Sequence, residues 1–434
     1  MNKAMTKEGY EMISLAKELF PICRSIMGEG IRKSMGKFQN IHPEFKEIIF
    51  STGDKVFDWE IPSEWSIKDA YIKHESGIKY AEFSKNNLHV VNYSEPVNLW
   101  LDKSQLLGKI HTLEAKPNAI PYVTSYYERN WGFCLQKEVV NQLPEGNYQV
   151  FIDSKLSPGK LQILEAFIPG RSKKEIFFSS YLCHPSMANN ELSGPVLLSQ
   201  IMSYVKNNFP ENEYSYRFIL IPETIGSIAY LSRNFKKLQN NMLCGFNLSC
   251  VGDERAYSHV ESRLGNNLAD LAVKSSLIGL SNVKYYTFLN RGSDERQFCA
   301  PGIDLPVCTF CRSKFSEFPE YHTSLDNFEL VTERGLQGSF NIFKNIVQTF
   351  EIGLNPMLEV LCEPQLGKRD LYPNISKVHN GEHPSKLRMD VLAYCDSKNT
   401  LFDIALKLNV NIEKILDEVK ILKNNNLIKF VCTN

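Results

Sequence analysis

Apolar side chains recur along this chain in two rhythms, and the switches between them divide it. In residues 7–19 and 30–40 they return three or four positions apart, which gathers them on one face of a helix, and a short strand is expected around Ile48. Residues 56–153 change texture. Stretches such as 80–83, 89–93 and 147–152 are short, rich in aromatic and β-branched residues and bounded by turn formers, the pattern of an inserted β-rich module. After Lys160 come apolar runs at 161–167, 175–182, 216–222, 242–250 and 305–310, with another strand near Tyr285. Helical stretches at 194–206, 227–235, 267–277 and 332–350 separate them. Such alternation predicts an α/β fold, a three-layer α/β/α sandwich whose site lies at strand ends.

The same rhythms assign residues 1–55 and 154–353 to the main α/β domain, 56–153 to the inserted module and 354–434 to a third unit. That unit follows a proline-containing linker beyond Gly353. Segments 389–395, 400–408, 412–424 and 427–431 predict three helices and a closing strand, the order of a winged helix-turn-helix. On the helix that would enter a DNA groove, Glu413, Asp417 and Glu418 offset Lys414, Lys420 and Lys423, so phosphate attraction would be weak. A protein contact is therefore expected of this unit and nucleic acid is not; a homo-oligomer is one form that contact would take.

Composition narrows the class more than the function. A chain of 434 residues exceeds the size at which a single core stops growing, which agrees with several domains. Its 49 basic and 49 acidic residues cancel, so charge names no nucleic-acid or membrane partner. No run approaches the roughly 20 apolar residues of a membrane span. The 11 cysteines lack metal-finger spacing, and their odd number with no secretory leader points to reduced thiols in a cytoplasm. Cys308 and Cys311 form a Cys-x-x-Cys pair, but in an expected strand, where no helix N-terminus would lower a thiol pKa.

Three residues carry the chemistry. His184 follows the run 175–182, Glu223 follows the run 216–222 just before a glycine-containing turn, and His322 lies far along the chain between Tyr321 and Thr323. Two metal-competent imidazoles and a carboxylate in irregular segments suggest a hydrolytic metal site.

The ordered set resembles the zinc-dependent exopeptidases of the bacterial aminopeptidase type. These place a histidine after one strand, an Asp-Asn-x-Ser-Gly turn next, a Glu-Glu-x-Gly turn after the following strand, and a late Tyr-His-Thr. The counterparts here are His184, Asn190-Glu191-Leu192-Ser193-Gly194, Glu223-Thr224-Ile225-Gly226 and Tyr321-His322-Thr323. Residues 292–298 and 301–306 also resemble that group's late Ser-Asp loop and Gly-Ile-Pro turn. With the module segment 125–134 and the terminal winged helix, the chain resembles more closely an aminopeptidase-like family found near bacterial surface-polysaccharide genes. The resemblance implies a zinc-dependent aminopeptidase or amidohydrolase, with Glu223 as general base and a small peptide or amide as substrate.

Departures from the pattern change the expected metal count. Asn190 stands where the two-zinc enzymes have a bridging aspartate, Thr224 where they have a second glutamate, and Ser249 where a later aspartate closes the site. Two divalent ions without bridging carboxylates would repel each other. One zinc per chain is therefore expected, held by His184, Glu191 and His322 with a fourth position open to water. Glu191 would alternatively cap the helix beginning near Ser193.

For substrate binding, Asp294 and Glu295 would hold an amino terminus and Arg296 a carboxylate, with Tyr321 beside the late histidine. The run Tyr126, Tyr127, Arg129 and Trp131 would wall the pocket from the module side. A surface salt-bridge cluster and ordinary aromatic packing are the structural alternatives. Arg24, Gly28, Gly30 and Arg32 form a polar turn for which an anion contact is one reading. The competing functional expectation is a catalytically silent aminopeptidase-like protein that binds a ligand or partner.

Overall fold

The computed structural model describes residues 6–372 and 385–431. Helices α1 (Lys7–Leu19) and α2 (Glu29–Ile41) lead into strand β1 (Lys46–Ser51). The chain then builds a separate antiparallel sheet from β2 (Glu64–His74), β3 (Lys79–Glu82), β4 (Val97–Asp102) and β5 (Asn147–Ser157), in the order β3-β2-β5-β4. It returns through β6 (Lys160–Ile168), β7 (Ser172–Tyr181), α3 (Ser193–Asn208), β8 (Tyr214–Ile221), α4 (Ile225–Asn241) and β9 (Met242–Leu248). Strand β10 (Tyr257–Val260), α5 (Leu268–Leu277), β11 (Val283–Tyr286), β12 (Val307–Cys311) and α6 (Glu333–Ile352) complete this part.

Eight strands form one mixed sheet, ordered β1-β6-β8-β7-β9-β12-β10-β11. The four central neighbours β8, β7, β9 and β12 run parallel. From β7 the chain crosses through α3 to β8 on one side, then through α4 to β9 on the other side of β7. Right-handed crossovers taken in opposite directions put their helices on opposite faces. Accordingly α3 packs with α1 and α6 over one face, while α4 lies against β6 and β7 over the other. Because β7 is covered on both faces its consecutive central residues Ile176, Phe177 and Phe178 are all apolar and fully buried. The one cation in β8, Arg217, is buried only because Glu175 takes it in two hydrogen bonds of 2.6 and 2.9 Å and Glu165 lies 2.7 Å away.

The stretch 89–93, expected as a strand, is instead a single turn at Asn87–His89 followed by isolated bridges from Val90 and Asn92. The Asn86 side chain accepts the Leu88 N–H and favours the turn over a ladder. Cys308 and Cys311 lie in β12, fully buried as free thiols, and burial holds both thiols well above the ordinary range.

After α6, β13 (Asn355–Leu358) pairs antiparallel with β14 (Ile428–Val431), and α7 (Lys386–Ala393), α8 (Leu401–Leu408) and α9 (Ile412–Asn424) lie between them in sequence. Thr400 and Asp403 cap α8 reciprocally, and Asn409 ends it in the left-handed conformation. Helix α9 packs on α6, and the rings of Phe350 and Phe402 meet at 5.4 Å. Among the described residues no helix is long and apolar enough to cross a membrane.

Candidate active site

In an open parallel sheet the crevice lies beyond the carboxyl ends of the strands, at the point where strand order reverses. Strand β7 is that point. His184 follows its last residue by three positions, Glu223 follows β8 by two, and His322 lies in the long loop after β12. The fold thus brings together three side chains separated by up to 138 residues, and the rings of His184 and His322 lie 5.4 Å apart.

Each neighbour of His184 has a definite side. Its Nδ1 is 3.0 Å from Glu191 Oε2, its Nε2 is 3.6 Å from Glu223 Oε2, and its backbone oxygen accepts a 3.0 Å hydrogen bond from Arg24 Nε. Burial works against a charged ring here, yet Cys183, Tyr122 and the Glu191 hydrogen bond hold the His184 pKa well above the imidazole range. His322 is the opposite case: burial and the neighbouring His184 push it down to about 3, so its ring is neutral and a lone pair is available. No hydrogen bond reaches its ring nitrogens among the described residues. Burial raises Glu223 to about 7, with His184 pulling against the shift.

Local backbone chemistry presents these groups. Glu223 is displayed by a tight turn in which its carbonyl accepts the Ile225 N–H at 2.8 Å, with Thr224 between them at φ 64° and ψ −73°. A β-branched residue at positive φ is strained, and strain of this kind persists only where surroundings hold it. Asp294 does so: its Oδ1 accepts the Thr224 N–H at 2.9 Å and the Ser227 hydroxyl at 2.7 Å, while Arg296 reaches the Thr224 hydroxyl. His322 also sits at positive φ, 55°.

Glu191 and Asn190 come from a π-helical turn, Ala188–Leu192, that precedes α3. Asn189 secures the turn by donating to Asp253 at 3.1 Å and accepting the Gly252 N–H at 2.8 Å. Where the two-zinc pattern has carboxylates, the Tyr181 hydroxyl donates to Asn190 Oδ1 and meets Ser249 Oγ, both at 2.8 Å. That corner of the site is neutral.

Several expected roles need correction. Glu191, expected to ligate an ion with His184 and His322, lies with Cys183 and His184 in a cluster whose ligand atoms are all within 4.8 Å of one another, and His322 is not in that cluster. The two nitrogens of an imidazole point away from each other, so a carboxylate on Nδ1 stands behind the ring and not on an ion at Nε2. Cys183 Sγ, 3.5 Å from Nδ1, shares that rear side, where the Arg24 cation opposes a second cation. Asp294 and Glu295 are fully buried and do not face a substrate: Asp294 pins the Glu223 turn, and Glu295 takes the N–H groups of Gly292 and Ser293, Asn247 and Thr309. Arg296 donates to the Thr224 hydroxyl through Nη2, while its buried Nε has no hydrogen-bond partner among the described residues. Arg129 is exposed, pairs with Glu95 at 3.2 Å and lines a neighbouring cavity of about 200 Å³. Tyr321 stacks on His322, ring centroids 4.0 Å apart. Arg32, a candidate anion contact, is taken by Glu64 in bonds of 2.8 and 2.7 Å.

The cleft at Glu223 and His184 has a volume of about 170 Å³, and Trp59, Tyr126, Tyr127, Ile26 and Ile225 form its apolar walls. Trp131 packs into the core of the small sheet instead. Sequence reasoning missed Tyr122, whose ring lies 5.2 Å from both histidines, and Asp326, which ties two loops of the site. Asp326 had a signal, its place four residues after His322. Tyr122 had none.

The neutral ring of His322, with Nε2 of His184 and the Glu223 carboxylate near it, offers donor types that suit a divalent transition metal, which would displace the His184 proton on binding. Residues 13–353 match the family described as domain of unknown function (DUF4910). The chain belongs to that family. Residues 356–430 match a winged helix-turn-helix family. Over 433 residues the chain is 40% identical to a Clostridium acetobutylicum protein named "Putative polysaccharide biosynthesis protein with aminopeptidase-like domain", covering 98% of each. A crystal structure from Clostridium acetobutylicum, of a "putative peptidase", is 39% identical with a TM-score of 0.88, covering 98% of this chain and 96% of that one. The zinc aminopeptidase BSAP of Bacillus subtilis is 12% identical with a TM-score of 0.55, covering 79% of this chain and 95% of its own, a likeness of fold. The main domain therefore has the aminopeptidase fold, and in this chain a winged helix-turn-helix follows it.

Proposed function

We propose that this protein is a mononuclear zinc hydrolase, an aminopeptidase or amidase, that cleaves a terminal amide of a small substrate. The observation that carries the reading is the place of His184 between His322, ring centroids 5.4 Å away, and Glu223, 3.6 Å from the His184 nitrogen that Glu191 leaves free. His184 through Nε2 and His322 would hold the ion. When bound, zinc supplies Lewis acidity, polarising a carbonyl and bringing the pKa of water toward about 7. Glu223 accepts the proton of the attacking water and returns it to the departing amine. Glu191 keeps the His184 ring in one tautomer by occupying Nδ1. The neutral Asn190, Tyr181 and Ser249 corner supports one ion over two, since no carboxylate there offsets a second charge.

The cleft, at about 170 Å³, is small beside the ~300 Å³ and upward of drug-sized ligand sites, which favours a single terminal unit held against Trp59, Tyr126 and Tyr127. The name of the Clostridium relative supports a substrate tied to polysaccharide metabolism. Metal analysis tests the reading: one zinc per wild-type chain, lost in His184→Ala and in His322→Ala. Full zinc occupancy in both variants would reject the ligands.

A second reading, a binding protein without turnover, is favoured by one observation. Glu191, His184 and Glu223 line up as carboxylate, imidazole and carboxylate, the first pair hydrogen-bonded at 3.0 Å and the second 3.6 Å apart, an ion pairing that needs no metal. Wild-type protein that binds no zinc at micromolar concentration supports this reading over the first. The winged helix, we infer, serves a protein contact, because α9 is engaged with α6 and carries mixed charge.

A further inference from the structure

Arg24 lies in the irregular connection between α1 and α2, far in sequence from every strand end that forms the site. Its guanidinium is wholly buried. Burying a cation is expensive, and one that served only to tie a loop to a strand would be replaceable by a neutral amide. Two of its three guanidinium contacts lead to the site. Nε donates to the backbone oxygen of His184 at 3.0 Å and lies 3.4 Å from Glu191 Oε1, while Nη1 donates to the Leu19 carbonyl at 2.6 Å. Asn92 fixes the Arg24 backbone from the module side, donating to its carbonyl at 3.1 Å.

These contacts close a ring. Arg24 hydrogen-bonds the main chain of His184 and faces one oxygen of Glu191 as a 3.4 Å ion pair, while the other oxygen of Glu191 hydrogen-bonds the His184 imidazole at 3.0 Å. Backbone and side chain of the same histidine are therefore held by one cation, directly and through one carboxylate. Two torsions separate the His184 backbone from its ring, and the ring of contacts fixes both ends of that lever. The Arg24 charge also gives Glu191 a permanent counterion, so that this buried carboxylate needs no metal of its own.

We propose that Arg24 is the positioning residue of the metal site, acting through Glu191 to keep His184 Nε2 turned toward Glu223, with the His322 ring beside it. The proposal rests on the zinc reading above, and its test separates the two. Zinc dissociation constants are measured by chelator competition on full-length wild type, Arg24→Lys, Arg24→Met, Glu191→Gln and the Arg24→Met/Glu191→Gln double variant, with circular dichroism of the metal-free proteins to establish folding. Loss of an outer partner of a metal-bound histidine weakens metal binding about 10- to 100-fold, and that is the loss expected for Arg24→Met and for Glu191→Gln. Arg24→Lys keeps the charge but cannot reach both groups from one nitrogen fork, and should weaken zinc several-fold; it covers the case in which Arg24→Met does not fold. Because Arg24 acts through Glu191, the double variant should bind zinc no more weakly than the weaker single variant. Multiplied losses in the double variant, or wild-type affinity in a folded Arg24 variant, would overturn the positioning role while leaving the zinc reading intact. Wild type without measurable zinc would overturn both.

Discussion

Asp326 accepts the backbone N–H of Asn189 at 2.6 Å through one carboxylate oxygen and that of Asn190 at 2.8 Å through the other. One buried side chain thus fastens the loop that carries His322 to the turn that carries Glu191. Asp326→Ala leaves two buried donors unsatisfied, each worth about 1–3 kcal/mol. The variant should lose roughly 2–6 kcal/mol in chemical denaturation and bind zinc more weakly than wild type. Unchanged stability would mean that the two loops are held in some other way.

Glu223→Gln preserves shape and hydrogen bonding but removes the base. With zinc retained, turnover of a chromogenic aminoacyl amide should fall by about 10²- to 10⁴-fold with little change in KM. Retained activity would remove Glu223 from the chemistry. Loss of zinc together with activity would instead make it a ligand.

His42 ends α2 and meets Ser199 of α3, its Nε2 2.8 Å from the hydroxyl and 3.1 Å from the carbonyl oxygen. Burial, with Lys206 nearby, pushes its pKa from 6.5 down to about 4. Between those values the unfolded chain binds a proton that the folded protein refuses. The stability it contributes is therefore present above about pH 6.5 and lost as pH falls toward 4. A shift of this size corresponds to roughly 3 kcal/mol. His42→Gln, which does not titrate, should lose correspondingly less stability than wild type between pH 7 and pH 4.5 in urea denaturation. Parallel losses in the two proteins would contradict the assignment.

If the winged helix serves protein contact, the full chain should leave a labelled DNA duplex unshifted at low salt. A shift whose affinity falls steeply with added salt would show phosphate contacts and a nucleic-acid role for α9.

Much of the architecture was legible because burial writes itself into period. Strand β7, covered on both faces, had to be apolar at its centre, Ile176 to Phe178, and α1, covered on one, had to be apolar every three or four residues. The loops at the site carry no such period. Glu191 and Glu223 are two acidic residues close to strand ends in sequence, and nothing in their neighbours says that one stands behind the His184 ring and the other before it. Asp294, Glu295 and Arg296 read as a polar surface loop, yet two of them are fully buried, because a strained turn at Thr224 and the amide of Asn247 needed partners.

The sequence alone determined the alternation of strand and helix, the winged-helix tail and the histidines and glutamate around which a metal site is proposed, since hydrophobic period and residue chemistry are local properties. Only the tertiary structure decided that His184 and His322 face each other, that Glu191 faces Nδ1 of His184, and that Arg24 closes the ring behind them. Those are matters of direction, set by how loops from four strand ends and one interhelical turn settle against a common core.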